Sequence, residues 1–100
     1  MMRPIHVAQL DKARPVVVLT RELVRPHLTT VTVAPITSTI RGLSTEVHVG
    51  ADNGLAGPSV VSCDNVTTIP TEALRGQIGV LLNDQEPQLS QAIQAAFDLD

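Results

Sequence analysis

The segment Arg14-Pro15-Val16-Val17-Val18-Leu19-Thr20 constrains the fold more than any other part of the chain. A nearly continuous run of β-branched and apolar residues has no polar face to turn to water. It therefore predicts a central β-strand covered on both sides. Covering both sides takes apolar partners in two layers, and the chain has them. Of its 100 residues 43% are hydrophobic and 17% charged, the composition of one folded domain over residues 1–100 rather than of a disordered segment. Those partners are aliphatic, because Phe97 is the only aromatic residue.

The rest of the first two thirds also reads as short strands. Ile5–Leu10 alternates, and so do Thr29–Ile36 and Thr45–Val49, which place Val31 with Val33 and Val47 with Val49 on single faces. Ser59–Cys63 and Gln77–Leu82 are further strands. Arg25-Pro26 ends the short helix or turn after Thr20, since the residue before proline avoids helical angles. Asn53-Gly54 and Gly57-Pro58 mark a loop. The period then changes. Leu89, Ile93 and Phe97, with Ala92 and Ala96 beside them, form one apolar helix face that packs as core, with Asp84 as N-cap and Pro87 in the first turn. The fold class is mainly β with a C-terminal helix, built as a strongly curved antiparallel sheet or a small, partly open barrel. A chain of this size gains stability by dimerising.

Composition also excludes function classes. The longest apolar runs are about five residues, far below the ~20 of a spanning helix, so no membrane association is expected. The start of the chain lacks the apolar stretch of a signal peptide. Cys63 is the only cysteine, so no internal disulfide forms and a cytoplasmic location is the simplest expectation. The net charge of −3 hides an asymmetry: residues 1–45 carry +4 and residues 46–100 carry −7. That split permits a basic patch for a polyanion on an otherwise acidic surface.

Most chemical signatures are missing. His6, His27 and His48 lie far apart with no ligand-spaced His or Cys, so no metal site or cofactor is expected. His48 faces away from the valines of its strand; histidine suits a general base, but nothing around it supports that role. Cys63 sits in an apolar strand without an activating base and reads as structural. The six glycines match neither the Walker nor the dinucleotide pattern. Without Tyr, Trp or a second Phe there is no base-stacking platform of the RRM or OB kind.

Two local features remain. Arg14 is a permanent cation fixed at the start of a buried strand, a placement that suits a phosphate clamp. In Ala34-Pro35-Ile36-Thr37-Ser38-Thr39 a proline interrupts a strand, which marks an edge, a bulge or a strand end, and three hydroxyls follow at once. Each alone is more often structural than functional.

Together, in order, these segments resemble the MazF/PemK toxins. Arg14-Pro15-Val16-Val17-Val18-Leu19 looks like that family's Arg-Pro-Val-Leu-Val segment. Val33-Ala34-Pro35-Ile36-Thr37-Ser38 looks like its Val-Ala-Pro-Ile-Thr-Ser segment, and Thr45-Glu46-Val47 follows at the right distance. Gly57-Pro58-Ser59-Val60-Val61-Ser62-Cys63-Asp64-Asn65-Val66-Thr67-Thr68-Ile69 is similar to its Gly-Leu-x-x-Pro-Ser-Val-Ala-x-x-Asp-Gln-Ile-Arg-Thr-Ile strand. The register holds from about Ile5 to Leu99.

The resemblance implies an SH3-like barrel, a homodimer, and a sequence-selective, ribosome-independent endoribonuclease toxin that needs no metal. It implies RNA as substrate and a cognate antitoxin whose disordered tail covers the RNA site. By position, Arg14 matches the family's catalytic arginine and Thr37 its catalytic threonine or serine. Lys12, Ser38, Thr39, Arg41, Asn65 and Thr67 are the substrate-binding candidates around them.

Two departures bear on substrate choice. The family's first loop is longer, whereas here only Asp11-Lys12-Ala13 separates Leu10 from Arg14. The family's Gln-Ile-Arg-Thr is Asn65-Val66-Thr67-Thr68, which removes a cation and shortens an amide. Messenger RNA and a structured RNA such as tRNA both stay open as targets. Two other readings share the fold. A CcdB-like gyrase poison is disfavoured, because it rests on a Trp-Gly-Ile type tail and this chain ends Phe97-Asp98-Leu99-Asp100. A non-catalytic antitoxin-binding member is disfavoured by the presence of Arg14 and Thr37.

Overall fold

The computed structural model describes residues 2–99. Its strands are β1 (Pro4–Gln9), β2 (Ala13–Val18), β3 (Thr30–Thr37), β4 (Glu46–Val49), β5 (Ser59–Ser62), β6 (Thr67–Pro70) and β7 (Leu74–Val80), followed by helix α1 (Glu86–Ala96). All pairings are antiparallel. The order is β4-β5-β3-β2-β1-β7, and β6 also pairs with β3. The edge strands β4 and β7 do not pair with each other, so the curved sheet stays open.

The apolar run does what its composition requires. Val16, Val17 and Val18 are all buried, and alternation sends them to opposite faces. Val17 joins Ile5, Ala34, Ile36, Val47 and Val61 in the core under α1, where Leu89 and Ala92 pack. Val16 and Val18 join Ala8, Val31, Val33 and Ile69 in a second core. The valine pairs 31/33 and 47/49 face the core as expected, and His48 is exposed.

Pro35 explains how β3 serves both layers. On one edge β3 pairs with β2 from Val33 to Pro35; on the other it pairs with β6 up to Val33 and with β5 from Ile36. Ala34 and Pro35 fill the gap between those two partners. Leu19 N–H donates to the Thr32 carbonyl at 2.8 Å. Antiparallel alternation then makes Val16/Pro35 a non-bonded pair, and the proline nitrogen faces the gap, where no donor is required. The proline marks a change of partner inside the sheet, not a sheet edge.

Three expectations are corrected. Strand β6 was not anticipated as a separate element: Thr67-Thr68-Ile69-Pro70 is short and Ile69 alone is buried. Asp84 is not the helix cap. It lies in a 3₁₀ turn over Asn83–Gln85, because Gln85 turns inward and its Oε1 accepts the Leu82 N–H at 2.9 Å. Phe97 is not core. It follows the last helical residue and stays 56% exposed, while Leu89 and Ala92 carry the buried stripe and Ile93 and Ala96 flank it.

The open seam is held by packing. A Cβ on Gly54 would collide with the Ile78 carbonyl, and one on Gly79 with the Asn53 carbonyl, so only glycines permit this approach of the β4–β5 loop to β7. Asn53 is buried beside it. Its Nδ2 donates to the Val80 carbonyl (3.0 Å) and to Gln85 Oε1 (2.7 Å), and its Oδ1 accepts from Gly50 N–H (3.0 Å). One side chain thus ties a loop, the end of β7 and the approach to α1.

Candidate active site

Arg14 and Thr37 come from different strands but meet at one end of the sheet. Arg14 is the second residue of β2, and Thr37 is the last of β3. Both line an open groove of about 830 Å3 together with Lys12, Ser38, Thr39, Arg41 and Asn65. Both also line a smaller, adjoining cleft of about 350 Å3 whose far wall is Leu55, Ala56, Gly57 and Pro58. Seven of the eight residues singled out from the sequence therefore share one groove. The eighth, Thr67, is exposed on β6 opposite Val33 and does not line it.

Arg14 is firmly oriented. Its Nε–H donates to Asp11 Oδ1 (2.9 Å) and its Nη2–H to Asp11 Oδ2 (3.1 Å), with one third of the Arg14 side chain exposed. The hydrogen bond and charge of Asp11 raise the Arg14 pKa above its already high ordinary value. Arg14 is thus a fixed cation and a poor proton donor. In return, Arg14 holds the Asp11 carboxyl at about 2, so the pair is charged at any physiological pH.

Thr37 Oγ1 accepts the Thr39 N–H at 3.1 Å. The threonine is thereby fixed in a turn while its own O–H stays free to donate.

The opposite wall is ordered by two carboxylates. Glu46 accepts N–H bonds from Arg41, Gly42 and Leu43 at 2.8–3.3 Å. Gly42 has φ +76°, which lets the three amides converge. Burial opposes the charged form of Glu46, but the N–H bonds from Leu43, Arg41 and Gly42 outweigh it and hold its carboxyl below the ordinary range. Asp64 Oδ2 accepts from Thr45 Oγ1 at 2.6 Å, and Asn65 Nδ2 donates to Ser62 Oγ at 2.8 Å.

The charge expectation is refined here. Lys12, Arg14 and Arg41 share the groove with Asp11, Glu46 and Asp64, so its walls are formally neutral. The other three arginines of the basic half, Arg3, Arg21 and Arg25, line a separate hollow at the far end of β2. Sequence reasoning missed Asp11 and Glu46. Asp11 had a legible signal, an acid three residues before the key arginine. The three-amide cradle of Glu46 had none.

Elsewhere, His6 Nδ1 bonds the Arg75 carbonyl at 2.7 Å, and no histidine lines the groove. Cys63 is fully buried, and burial with the nearby Asp64 charge pushes its thiol up to about 11. Among the described residues no cluster of three or more His, Cys, Asp or Glu could hold a metal ion, and no helix is long and apolar enough to cross a membrane.

Comparison with known proteins places the chain among its relatives. The chain is 72% identical over 99 residues to the endoribonuclease MazF3 of Mycobacterium tuberculosis, covering 99% of this chain and 96% of that protein. It is 37% identical to the probable endoribonuclease MazF5 of the same organism, over 85% and 79% of the two chains. Its fold superposes on the solved M. tuberculosis toxin MazF-mt6 with TM-score 0.97 and 71% identity, covering 98% and 99%. A mycobacterial endoribonuclease solved with its cognate antitoxin has TM-score 0.86 at 22% identity, covering 97% of this chain and 93% of that one, a likeness of fold alone. The model of the PemK-like, MazF-like toxin of type II toxin–antitoxin systems matches residues 4–97, which takes in both strands of the Arg14–Thr37 groove, and to that family the chain belongs.

Proposed function

We propose that this chain cuts RNA in the Arg14–Thr37 groove without a metal ion, by attack of a 2′-hydroxyl on the adjacent phosphate. The products are a 2′,3′-cyclic phosphate and a 5′-hydroxyl. Family membership and relatives that are endoribonucleases by name at 72% identity make the chain an RNA-cleaving toxin. The observation that carries the chemistry is the oriented, permanently charged Arg14 beside a threonine with a free O–H. Negative charge grows on the non-bridging phosphate oxygens as the 2′-oxygen attacks. A preorganised guanidinium stabilises that charge, the part a metal ion plays in other nucleases. Thr37 donates to the same phosphate and fixes it. Lys12 and Arg41 hold flanking phosphates, and Ser38, Thr39 and Asn65 offer hydrogen bonds to bases or sugars.

The high pKa direction of Arg14 makes it a charge stabiliser rather than a proton carrier. The groove is wide and its first loop short, which suits messenger RNA or a structured RNA. As a type II toxin the chain is neutralised by a protein antitoxin, whose tail lies over the same groove. A homodimer is supported by exposed apolar groups, Ile78 on the edge strand β7 and Phe97 and Leu99 after α1. A buried free thiol agrees with the reducing cytoplasm.

The test is cleavage of cellular RNA by the purified chain in excess EDTA, with mapping of the new ends. Cleavage leaving 5′-hydroxyl ends is expected, and none on an oligonucleotide with a 2′-deoxy sugar at the cut. Cutting of the deoxy substrate, or loss of activity on chelation, rejects the mechanism.

A further inference from the structure

We propose that Glu46 is a positioning residue for RNA binding: its carboxylate fills the three-amide cradle of Arg41, Gly42 and Leu43, and the loop shaped in this way presents the Arg41 guanidinium to an RNA phosphate away from the cut. The proposal rests on the reading of the groove given above.

The loop between β3 and β4 has nothing else to give it a shape. Residues 38–44 are all exposed, so no packing fixes them. Hydrogen bonds at its two ends do. Thr37 holds the near end through the Thr39 N–H. Glu46 holds the far end, where its Oε1 alone accepts from Arg41 (3.2 Å), Gly42 (2.8 Å) and Leu43 (3.0 Å). The anchor itself is rigid. Glu46 opens β4 and pairs with Ser62, its N–H bonds the Leu43 carbonyl at 3.1 Å, and the next residue, Val47, is buried.

The cradle also decides what Arg41 is free to do. A glutamate five residues from an arginine in an exposed loop is its natural ion-pair partner. Here the acid is taken up by backbone N–H groups instead. The ion pairs among the described residues are Arg3–Glu86, Arg14–Asp11 and Arg25–Glu22, so none engages Arg41. Arg41 lines the groove beside Thr39 and Asn65 with its charge uncommitted. A polyanion meets a cation that its nearest acid does not neutralise.

Two rival roles follow from the same contacts. Three converging amides are themselves an anion site, so Glu46 could be a plug that an RNA phosphate displaces. Glu46 could also be a purely structural tie. The roles separate by the salt dependence of binding, because each lost phosphate contact lowers the slope of log affinity against log salt by about 0.7 for a single strand.

The experiment uses the full chain and an RNA oligonucleotide that the wild type cuts. Affinity is read across a salt series with the same oligonucleotide carrying a 2′-deoxy sugar at the cut. Glu46→Ala is expected to weaken binding about tenfold and to flatten the slope by about 0.7, with kcat at saturating RNA changed less than about threefold. Arg41→Ala should match it in affinity and slope. In the Arg41→Ala background, Glu46→Ala should cost less than about twofold further. Glu46→Gln keeps an oxygen for the three amides and should bind within about twofold of wild type. Gly42→Ala, strained at φ +76°, should weaken binding in the same direction and carries the test if Glu46→Ala does not fold.

Tighter binding with a steeper slope in Glu46→Ala means a displaced plug and overturns the proposal. Unchanged affinity per folded molecule means a structural tie and also overturns it, as do additive losses in the Arg41→Ala background or a Glu46→Gln variant as weak as Glu46→Ala. If Arg14→Ala still cuts RNA, the reading of the groove itself fails. If Arg14→Ala is dead and Glu46→Ala binds like wild type, only the positioning role fails.

Discussion

Two polar clusters sit in this small protein, and they are built on opposite terms. The Asn53–Gln85 cluster at the seam is neutral and internally satisfied: Asn53 is 1% exposed, and its donors and acceptor all have partners within 3.3 Å. The Arg14–Thr37 cluster is charged and open, and it keeps donors to spare. Buried polar groups that satisfy one another hold a fold together, because removing one strands the rest. Polar groups at strand ends, oriented but unsaturated, are what a ligand can complete. The difference assigns stability to one cluster and chemistry to the other.

That assignment is open to attack by mutation, and the largest effect is expected at Arg14. Arg14→Ala should lower kcat by about 10²- to 10³-fold or more, as for loss of one preorganised oxyanion donor, with thermal unfolding within a few degrees of wild type. A melting point that falls with activity would erase the contrast. Asn53→Ala should do the reverse. Leaving the Val80 carbonyl and Gln85 without their partner should destabilise by about 2–3 kcal/mol in urea titration, with kcat per folded molecule unchanged. Activity lost in proportion to folded protein fits; activity lost beyond it does not. Thr37→Val, which keeps the volume and removes the O–H, should cost roughly tenfold in kcat, close to one neutral hydrogen bond in the transition state.

Smaller effects sharpen the picture. The Asp11 carboxyl, at about 2 in the folded chain, lies below its ordinary value, so its contribution is complete above about pH 4 and lost only as pH falls toward 2. The pH–rate profile should show no Asp11 limb between pH 5 and 9, and a limb that disappears in Asp11→Asn would refute this. Cys63, with its thiol near 11 and no exposure, should resist iodoacetamide at pH 8 in the native state and react once unfolded, as a mass shift would reveal.

Much of this was legible in the sequence, for identifiable reasons. Strand β2 was plain because a run without a polar face has few places to go. The helix face was plain because Leu89 and Ile93 repeat at helical spacing. Arg14 and Thr37 stood out because each breaks a local rule, a charge at the head of a buried strand and hydroxyls after an internal proline. What was not legible depended on distant partners. Gln85 turns inward only because Asn53 waits 32 residues away, and that shifted the helix start past Asp84. The amide cradle of Glu46 arises from a turn at Gly42 that carries no motif. Asp11 was in view as part of a shortened loop, but its grip on Arg14 shows only once the hairpin closes.

The pairing of β1 with β7 has a consequence for the birth of the protein. The two strands join residues 4–8 to residues 74–80, so the first strand must wait with one edge bare until nearly all of the chain has been made. The groove strands β2 and β3 can assemble early, since they are close in sequence, but the frame that steadies them closes last. Contacts of such sequence separation slow folding and come late in it. For a chain that cuts RNA this timing matters. The frame around its groove is complete only when β7 arrives, so the finished site is a late product of synthesis.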